Sequence, residues 1–103
     1  MLTEIVEAGL AIGATTICME YESGRELGVW YMCGDRGTGE MISERKAAAA
    51  LMRAVWEVAA KNRGKLTMVV NGKRHMVRVR RYDHFGENAF ELRLNSSRTR
   101  EPS

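Results

Sequence analysis

The sequence predicts an α+β fold in the order α-β-β-α-β-β-β, in which a mostly antiparallel sheet carries both helices on one face. Three observations lead to this prediction. Apolar residues recur at helical spacing in residues 3–12 and 44–63. Several other segments either alternate apolar with polar residues or are rich in β-branched and aromatic residues. Two of those segments are joined by Asn71-Gly72, the strongest short signal for a β-hairpin.

The N-terminal half is predicted to contain a short helix, a hairpin, a loop and a long helix. The first helix ends at Gly13, and the hairpin in residues 14–33 turns at Ser23-Gly24. Residues 34–41, "GDRGTGEM", are predicted to form a loop, and Trp30 and Trp56 are predicted to lie in the core. The long helix, residues 44–63, ends at Gly64 and has an apolar stripe made of Ala48, Leu51, Met52, Val55 and Ala59.

The C-terminal half is predicted to be three antiparallel strands. Residues 65–70 pair across Asn71-Gly72 with the strand that follows, and "RHMVRVRRYDHFGENAFELRLN" forms a second hairpin. Alternation assigns one side of that hairpin to the core. The predicted core residues on that side are Val77, Val79, Phe90, Leu92 and Leu94.

A turn centred on Phe85-Gly86 places Arg80 opposite Glu91 and Arg78 opposite Arg93. The first pair is a favourable cross-strand ion pair, whereas like charges directly opposite each other are destabilising. An anion between the arginines would relieve this repulsion, and the planar guanidinium group suits phosphate oxygens. The alternatives are a different register, or a carboxylate from Glu87 or Glu91 that reaches over.

Length and composition indicate one domain, residues 1–95, followed by a flexible tail or linker, residues 96–103. Glu4 and Glu7 lie where an export signal needs positive charge, and no apolar segment is long enough to cross a membrane. Cys18 and Cys33 are expected to be free thiols in a reducing compartment. The expected location is therefore the cytoplasm.

Charge is distributed unevenly along the chain. Residues 1–62 hold six Lys/Arg against nine Asp/Glu, a net charge of −3, whereas residues 63–103 hold ten against four, a net charge of +6. A basic surface on a small domain indicates an anionic partner, but a solvated face that keeps the protein soluble explains the same charges.

The sequence contains no recognisable nucleotide-hydrolysing or metal site. Gly34, Gly37 and Gly39 are followed by Glu40, whereas a phosphate-binding loop needs a lysine and a hydroxyl residue after its last glycine. The cysteines and histidines lack the close paired spacings of structural zinc sites. We therefore expect no ATP hydrolysis by this chain alone, and we expect no metal.

A set of short motifs spread along the chain matches a known family in order. The motifs are Gly13, Ala14, Ile17, Glu20, Gly72-Lys73-Arg74, Val77-Arg78-Val79, Gly86-Glu87 and Leu92-Arg93-Leu94. In these residues the chain resembles the N-terminal, PAS-like domain of the secretion-superfamily hexameric ATPases, which drive type II secretion, type IV pilus assembly, conjugation and type IV secretion. At two positions the sequence departs from the family, with Thr16 where Asp is usual and Cys18 where His is usual.

The resemblance implies a non-catalytic regulatory or oligomerisation domain that is part of an ATPase. It implies that Arg78 and Arg93 sense nucleotide held by an ATPase domain of the same or a neighbouring subunit. Arg80, Arg74 and Lys73 would form a supporting basic face. The isolated domain would hold no cofactor, whereas the assembled motor would use ATP with Mg²⁺, and secretion or pilus machinery would be its partner.

Two other functions remain open. The first is a free-standing basic adaptor that binds nucleic acid or a protein partner through the same hairpin. Nucleic acid is the less favoured ligand, because the sequence predicts no aromatic stacking platform there beyond Tyr82. The second is a small-ligand sensor that uses the concavity of a PAS-like fold.

Overall fold

A computed structural model describes residues 1–22, 26–61 and 63–94 of the chain. These residues form two helices and one six-stranded sheet. The predicted turn at Ser23-Gly24 and the predicted tail, residues 96–103, lie outside the described residues. The elements are α1 (Leu2–Ala11), β1 (Thr16–Tyr21), β2 (Leu27–Cys33), β3 (Arg36–Ile42), α2 (Arg45–Lys61), β4 (Lys65–Val70), β5 (Lys73–His84) and β6 (Glu87–Arg93).

The sheet has the strand order β3-β2-β1-β6-β5-β4, and every neighbouring pair is antiparallel. Both predicted tight turns are present. Asn71 and Gly72 have φ values of 52° and 77°, and Phe85 and Gly86 have φ values of 53° and 84°. Positive φ at both central residues is typical of the turn type that matches the twist of a two-residue hairpin. These turns fix the register of the three C-terminal strands.

Both helices pack on the same face of the sheet. Gly9 of α1 approaches Ile17 and Leu94 so closely that a Cβ on it would lie 2.9 Å and 3.0 Å from their Cδ1 atoms. On α2, the ring of Trp56 contacts Phe90 edge-on at a centroid distance of 6.3 Å. The other face of the sheet carries Trp30, Cys18, Glu91 and Arg78 and is called the open face below.

The core lies between the helices and the sheet. The predicted core residues of the C-terminal hairpin are all buried, as are four members of the predicted stripe on α2, whereas Ala59 is half-buried. The fully buried side chains include Val6, Ile17, Met19, Val55, Val77, Phe90 and Leu92. The coarse α+β class is therefore confirmed.

The structure corrects the predicted order of elements at residues 34–41. Most of this glycine-rich segment belongs to β3, which pairs with β2 along its whole length from Leu27↔Ile42 to Cys33↔Arg36. The segment was predicted to be a loop because Gly37 and Gly39 are poor strand formers. In the fold, Trp30 lies against Gly39 and Met32 lies against Gly37, so the bare backbone is covered from the neighbouring strand. The order is therefore α-β-β-β-α-β-β-β.

Candidate anion-binding site

Three cationic side chains occupy one row across neighbouring strands of the open face. Arg78 on β5 lies directly opposite Arg93 on β6, as the turn at Phe85-Gly86 predicts. On its other side, Arg78 lies directly opposite Lys65 on β4. Side chains that are directly opposite have Cβ atoms about 4.5–5.5 Å apart. Arg78 therefore has a like charge on both flanks.

The carboxylate of Glu91 contacts two neighbouring arginines, Arg80 and Arg93. Glu91 Oε1 lies 3.3 Å from Arg80 Nη2 and 3.6 Å from Arg93 Nε. The side chain of Glu91 is 20% exposed, against 70% for Arg80 and 60% for Arg93. The alternative that Glu91 reaches over is thus confirmed for Arg93. It does not hold for Arg78, which makes no ion pair or side-chain hydrogen bond within the described segments.

A groove of about 430 Å³ lies at these side chains. It is lined by Arg63, Gly64, Arg78, Val79, Arg80, Glu91 and Arg93. The backbone N–H of Val79 donates to the carbonyl of Gly64 at 2.6 Å, so the segment before β4 is held against β5. Gly64 has φ of 75°, and a Cβ on it would lie 2.2 Å from the Val79 carbonyl oxygen. Only glycine is compatible with this approach. That approach brings Arg63 to the groove.

The groove is strongly cationic. Among the described residues, four arginines line it, a lysine lies beside it, and Glu91 is the one acidic side chain in its lining. Closely spaced like charges repel one another unless a counter-charge is present. The arrangement is therefore suited to a multivalent anion with several oxygens, such as a polyphosphate.

The predicted supporting residues do not all share this groove. Arg80 lines it and pairs with Glu91. Arg74 also belongs to the open face but lies further along β5, opposite Val69. Lys73 is the next residue towards the turn, so alternation places it on the helix-covered face. The structure thus brings together Arg78, Arg80 and Arg93 and leaves Lys73 apart.

A second polar cluster lies on the open face, towards the turn between β5 and β6. Tyr82 donates a hydrogen bond from its hydroxyl to Glu20, and His84 Nε2 lies 3.6 Å from the other oxygen of that carboxylate. Burial and the bond to Glu20 raise the pKa of Tyr82. Burial, with the nearby Glu91 and Glu20 carboxylates, also raises the pKa of the Cys18 thiol. A thiol with a raised pKa is a poor nucleophile at neutral pH.

The two tryptophans are not the core residues predicted. Trp56 is 44% exposed, and the guanidinium carbon of Arg81 lies 5.8 Å from the centre of its ring. Trp30 is half-buried and lies on the open face, where its Nε1 donates to Glu22 at 3.3 Å. An aromatic ring is therefore present on the same face as the cationic groove.

Other chemistry is not apparent in the described part of the chain. Within residues 1–22, 26–61 and 63–94, no three His, Cys, Asp or Glu side chains are arranged to hold a metal ion. Neither described helix has the length and apolar character needed to cross a membrane.

Comparison with known proteins finds neither a matching family model nor a similar curated sequence.

Lys65 and Arg63 are the site residues that the sequence analysis missed. The signal for Lys65 was present, because a two-residue turn at Asn71-Gly72 pairs residue 65 with residue 78. Arg63 carried no comparable signal. Its position depends on the close contact between Gly64 and Val79, which is a tertiary feature.

Proposed function

We propose that the domain is a non-catalytic regulatory domain of a secretion, pilus or conjugation motor ATPase, and that it binds the phosphate groups of nucleotide held by an adjoining ATPase domain. The single observation that carries the proposal is Arg78, which lies between Lys65 and Arg93 without a carboxylate of its own. An arginine held among like charges stabilises a bound anion more than it stabilises the free domain.

The wider architecture supports the same proposal. An antiparallel sheet that is covered by helices on one face leaves the open face, and with it the groove, available to a neighbouring domain. A PAS-like assignment of this fold, based on the sequence resemblance, is part of the proposal. In the assembled motor, ATP with Mg²⁺ would be the ligand, and the ATPase domain would hold it while Arg78 and Arg93 contact its phosphates.

The test is ATP turnover in a protein that joins this domain to an ATPase motor. Arginine contacts to phosphate charge contribute about 10³–10⁵ in turnover where they act on the reacting phosphoryl group. A sensing contact is further from the reaction, so we expect Arg78→Ala and Arg93→Ala to lower turnover by roughly tenfold or less, with oligomer size unchanged. Arg53→Ala, on the exposed side of α2, is the control for loss of one positive charge. Equal turnover in all three variants would contradict the proposal.

A second candidate, a basic adaptor for single-stranded nucleic acid, is favoured by one observation. Trp30 supplies an aromatic ring on the open face, where the sequence analysis predicted none beyond Tyr82. Base stacking on Trp30, with phosphates along the arginines, would give an affinity that falls steeply with salt. The nearby carboxylates of Glu20 and Glu22 oppose this function. A titration with a fluorescent oligonucleotide at low ionic strength tests it, and absence of binding would exclude it.

A further inference from the structure

The outer edge of β3 is an exposed and regular sheet edge. β3 is one of the two terminal strands of the sheet, and six of its seven residues are exposed. It pairs regularly with β2 over all seven positions, without a bulge, and it contains no proline or lysine. Natural proteins usually protect such edges with bulges, prolines or charged side chains, because unpaired backbone groups recruit another strand. On β3 the charges of Arg36 and Glu40 are the one such feature, and they protect the edge only if they repel the strand that approaches it. Within the described segments, no other element pairs with this edge.

The charges of β3 are arranged symmetrically about Thr38. The segment Arg36-Gly37-Thr38-Gly39-Glu40 has a cation and an anion at equal distances from its centre. If two copies of β3 pair antiparallel about a two-fold axis at Thr38, Arg36 of each copy lies opposite Glu40 of the other. The same register pairs glycine with glycine between them. Opposite charges in directly facing positions stabilise an antiparallel pair, and a two-fold axis makes the contact self-complementary.

The two charged groups are available for this contact. Arg36 makes no ion pair or side-chain hydrogen bond within the described segments. Glu40 accepts a hydrogen bond at 3.0 Å from the neutral hydroxyl of Tyr31 through one oxygen, so its charge is not neutralised. Since Arg36 and Glu40 are four positions apart in a strand, their side chains share one side of the sheet.

The other sheet edge lacks this pattern. β4, "KLTMVV", has Lys65 as its one ionisable residue, so pairing with a second copy brings no opposite charges together. We therefore infer that two copies of this chain associate through β3 in an antiparallel pair centred on Thr38, which extends the sheet across a two-fold axis. This contact is independent of the proposed phosphate site, which lies on β5 and β6 towards the opposite edge of the sheet. Because paired edge strands bury less area than a standard interface, we expect a weak, reversible dimer.

The test is to reverse each charge of β3 in turn and then to mix the two variants. Sedimentation equilibrium over a range of concentrations measures the dimerisation of each sample. The parent is expected to show a concentration-dependent dimer. Arg36→Glu and Glu40→Lys each place like charges opposite one another, so each alone is expected to weaken association by about tenfold or more. An equimolar mixture of the two variants restores both opposite pairs and is expected to dimerise at least as strongly as the parent. Glu57→Lys, on the exposed side of α2, is the control for the change in charge of Glu40→Lys.

A covalent test does not depend on charge. Directly opposite Cα atoms in an antiparallel pair are about 4.5 or 5.5 Å apart, which is within reach of a disulfide. Under mild oxidation, Thr38→Cys is expected to form a covalent dimer beyond the background that Cys18 and Cys33 give in the parent. Thr67→Cys, at an exposed position of the other edge strand, is expected to give no such increase.

The inference is overturned if the parent is monomeric at every concentration, if both reversed variants dimerise as the parent does, or if their mixture forms no heterodimer. Circular dichroism of each variant shows whether it is folded. If Glu40→Lys is unfolded because it loses the bond to Tyr31, the comparison of Thr38→Cys with Thr67→Cys decides alone.

Discussion

Arg78 lies directly opposite Arg93 on the neighbouring strand, and of the two only Arg93 contacts a carboxylate within the described part of the chain. Lys65 occupies the other flank of Arg78. The free domain therefore holds one arginine in an unfavourable electrostatic environment. A phosphate group bound between these cations would convert the repulsion into attraction, and titration with tripolyphosphate tests for such a group.

Removing the charge of Arg78 is expected to stabilise the free domain. Each like-charge cross-strand pair costs about 0.2–1 kcal/mol, so Arg78→Gln should raise the melting temperature by roughly 2–5 °C at low salt. The difference should shrink at high salt, because exposed charges are screened. Arg93→Gln is the matched comparison, and it should change the melting temperature little, since it also loses the contact with Glu91. A lower melting temperature for Arg78→Gln at low salt would contradict this account.

Gly39 is expected to tolerate a methyl group less well than Gly37. A Cβ on Gly39 would lie 2.4 Å from Trp30 Cε3 and 2.7 Å from the backbone oxygen of Val29. On Gly37 the nearest atom, at 2.9 Å, is the sulfur of the flexible Met32 side chain. Gly39→Ala should therefore cost about 1–3 kcal/mol in the free energy of unfolding, and Gly37→Ala less than about 1 kcal/mol. Urea denaturation measures both, and equal costs would indicate that Trp30 does not lie against Gly39.

Alkaline pH should destabilise the domain through two tyrosines, the buried Tyr31 and the half-buried Tyr82. Burial and the hydrogen bond to Glu40 raise the pKa of Tyr31 from 10.0 to about 12. Burial and Glu20 raise the pKa of Tyr82 in the same direction. A raised tyrosine pKa means that the folded state favours the neutral form. The resulting stabilisation is complete below the unfolded pKa and is lost as pH rises from about 10 towards the folded pKa.

The check is the free energy of unfolding as a function of pH for the parent and for a variant with both Tyr31→Phe and Tyr82→Phe. Below pH 10 the variant has a lower free energy of unfolding than the parent, because it lacks two hydrogen bonds. We expect it to lose less stability than the parent between pH 10 and pH 12, since lysine titration is common to both proteins. Parallel profiles above pH 10 would show that neither tyrosine has a raised pKa.

Much of the C-terminal half was predictable because its two tight turns are local features. Asn71-Gly72 and Phe85-Gly86 each adopt a conformation that fixes the pairing of the strands on both sides. The facing arginines, Arg78 and Arg93, follow directly from the second turn. The position of Lys65 follows from the first turn in the same way, because a two-residue turn at Asn71-Gly72 places Lys65 opposite Arg78. The sequence analysis used that turn to predict strand pairing but did not derive this pair from it.

The remaining features depend on tertiary contacts. β3 forms from a glycine-rich segment because Trp30 and Met32 cover Gly39 and Gly37, and neither contact is visible in local propensity. Alternation did contain a signal for Trp30. Its neighbours Val29 and Tyr31 are buried, which assigns Trp30 to the opposite side of the strand. Trp30 was assigned to the core only because it is a large aromatic residue. An aromatic residue on an open sheet face does not follow the expectation that such residues are buried.

The most direct test of the central claim is calorimetric titration of this domain with inorganic tripolyphosphate at low ionic strength. Tripolyphosphate has the triphosphate charge of ATP without its base. We expect binding with a dissociation constant on the order of 1 mM for the parent, since the groove offers several cations but is open to solvent. Arg78→Ala should weaken it by about tenfold, whereas Glu91→Gln should strengthen it, because Arg93 then no longer shares its charge with a carboxylate. Arg53→Ala should match the parent. If the parent does not bind, or if Arg78→Ala and Arg53→Ala weaken binding equally, the cationic groove is not a phosphate site.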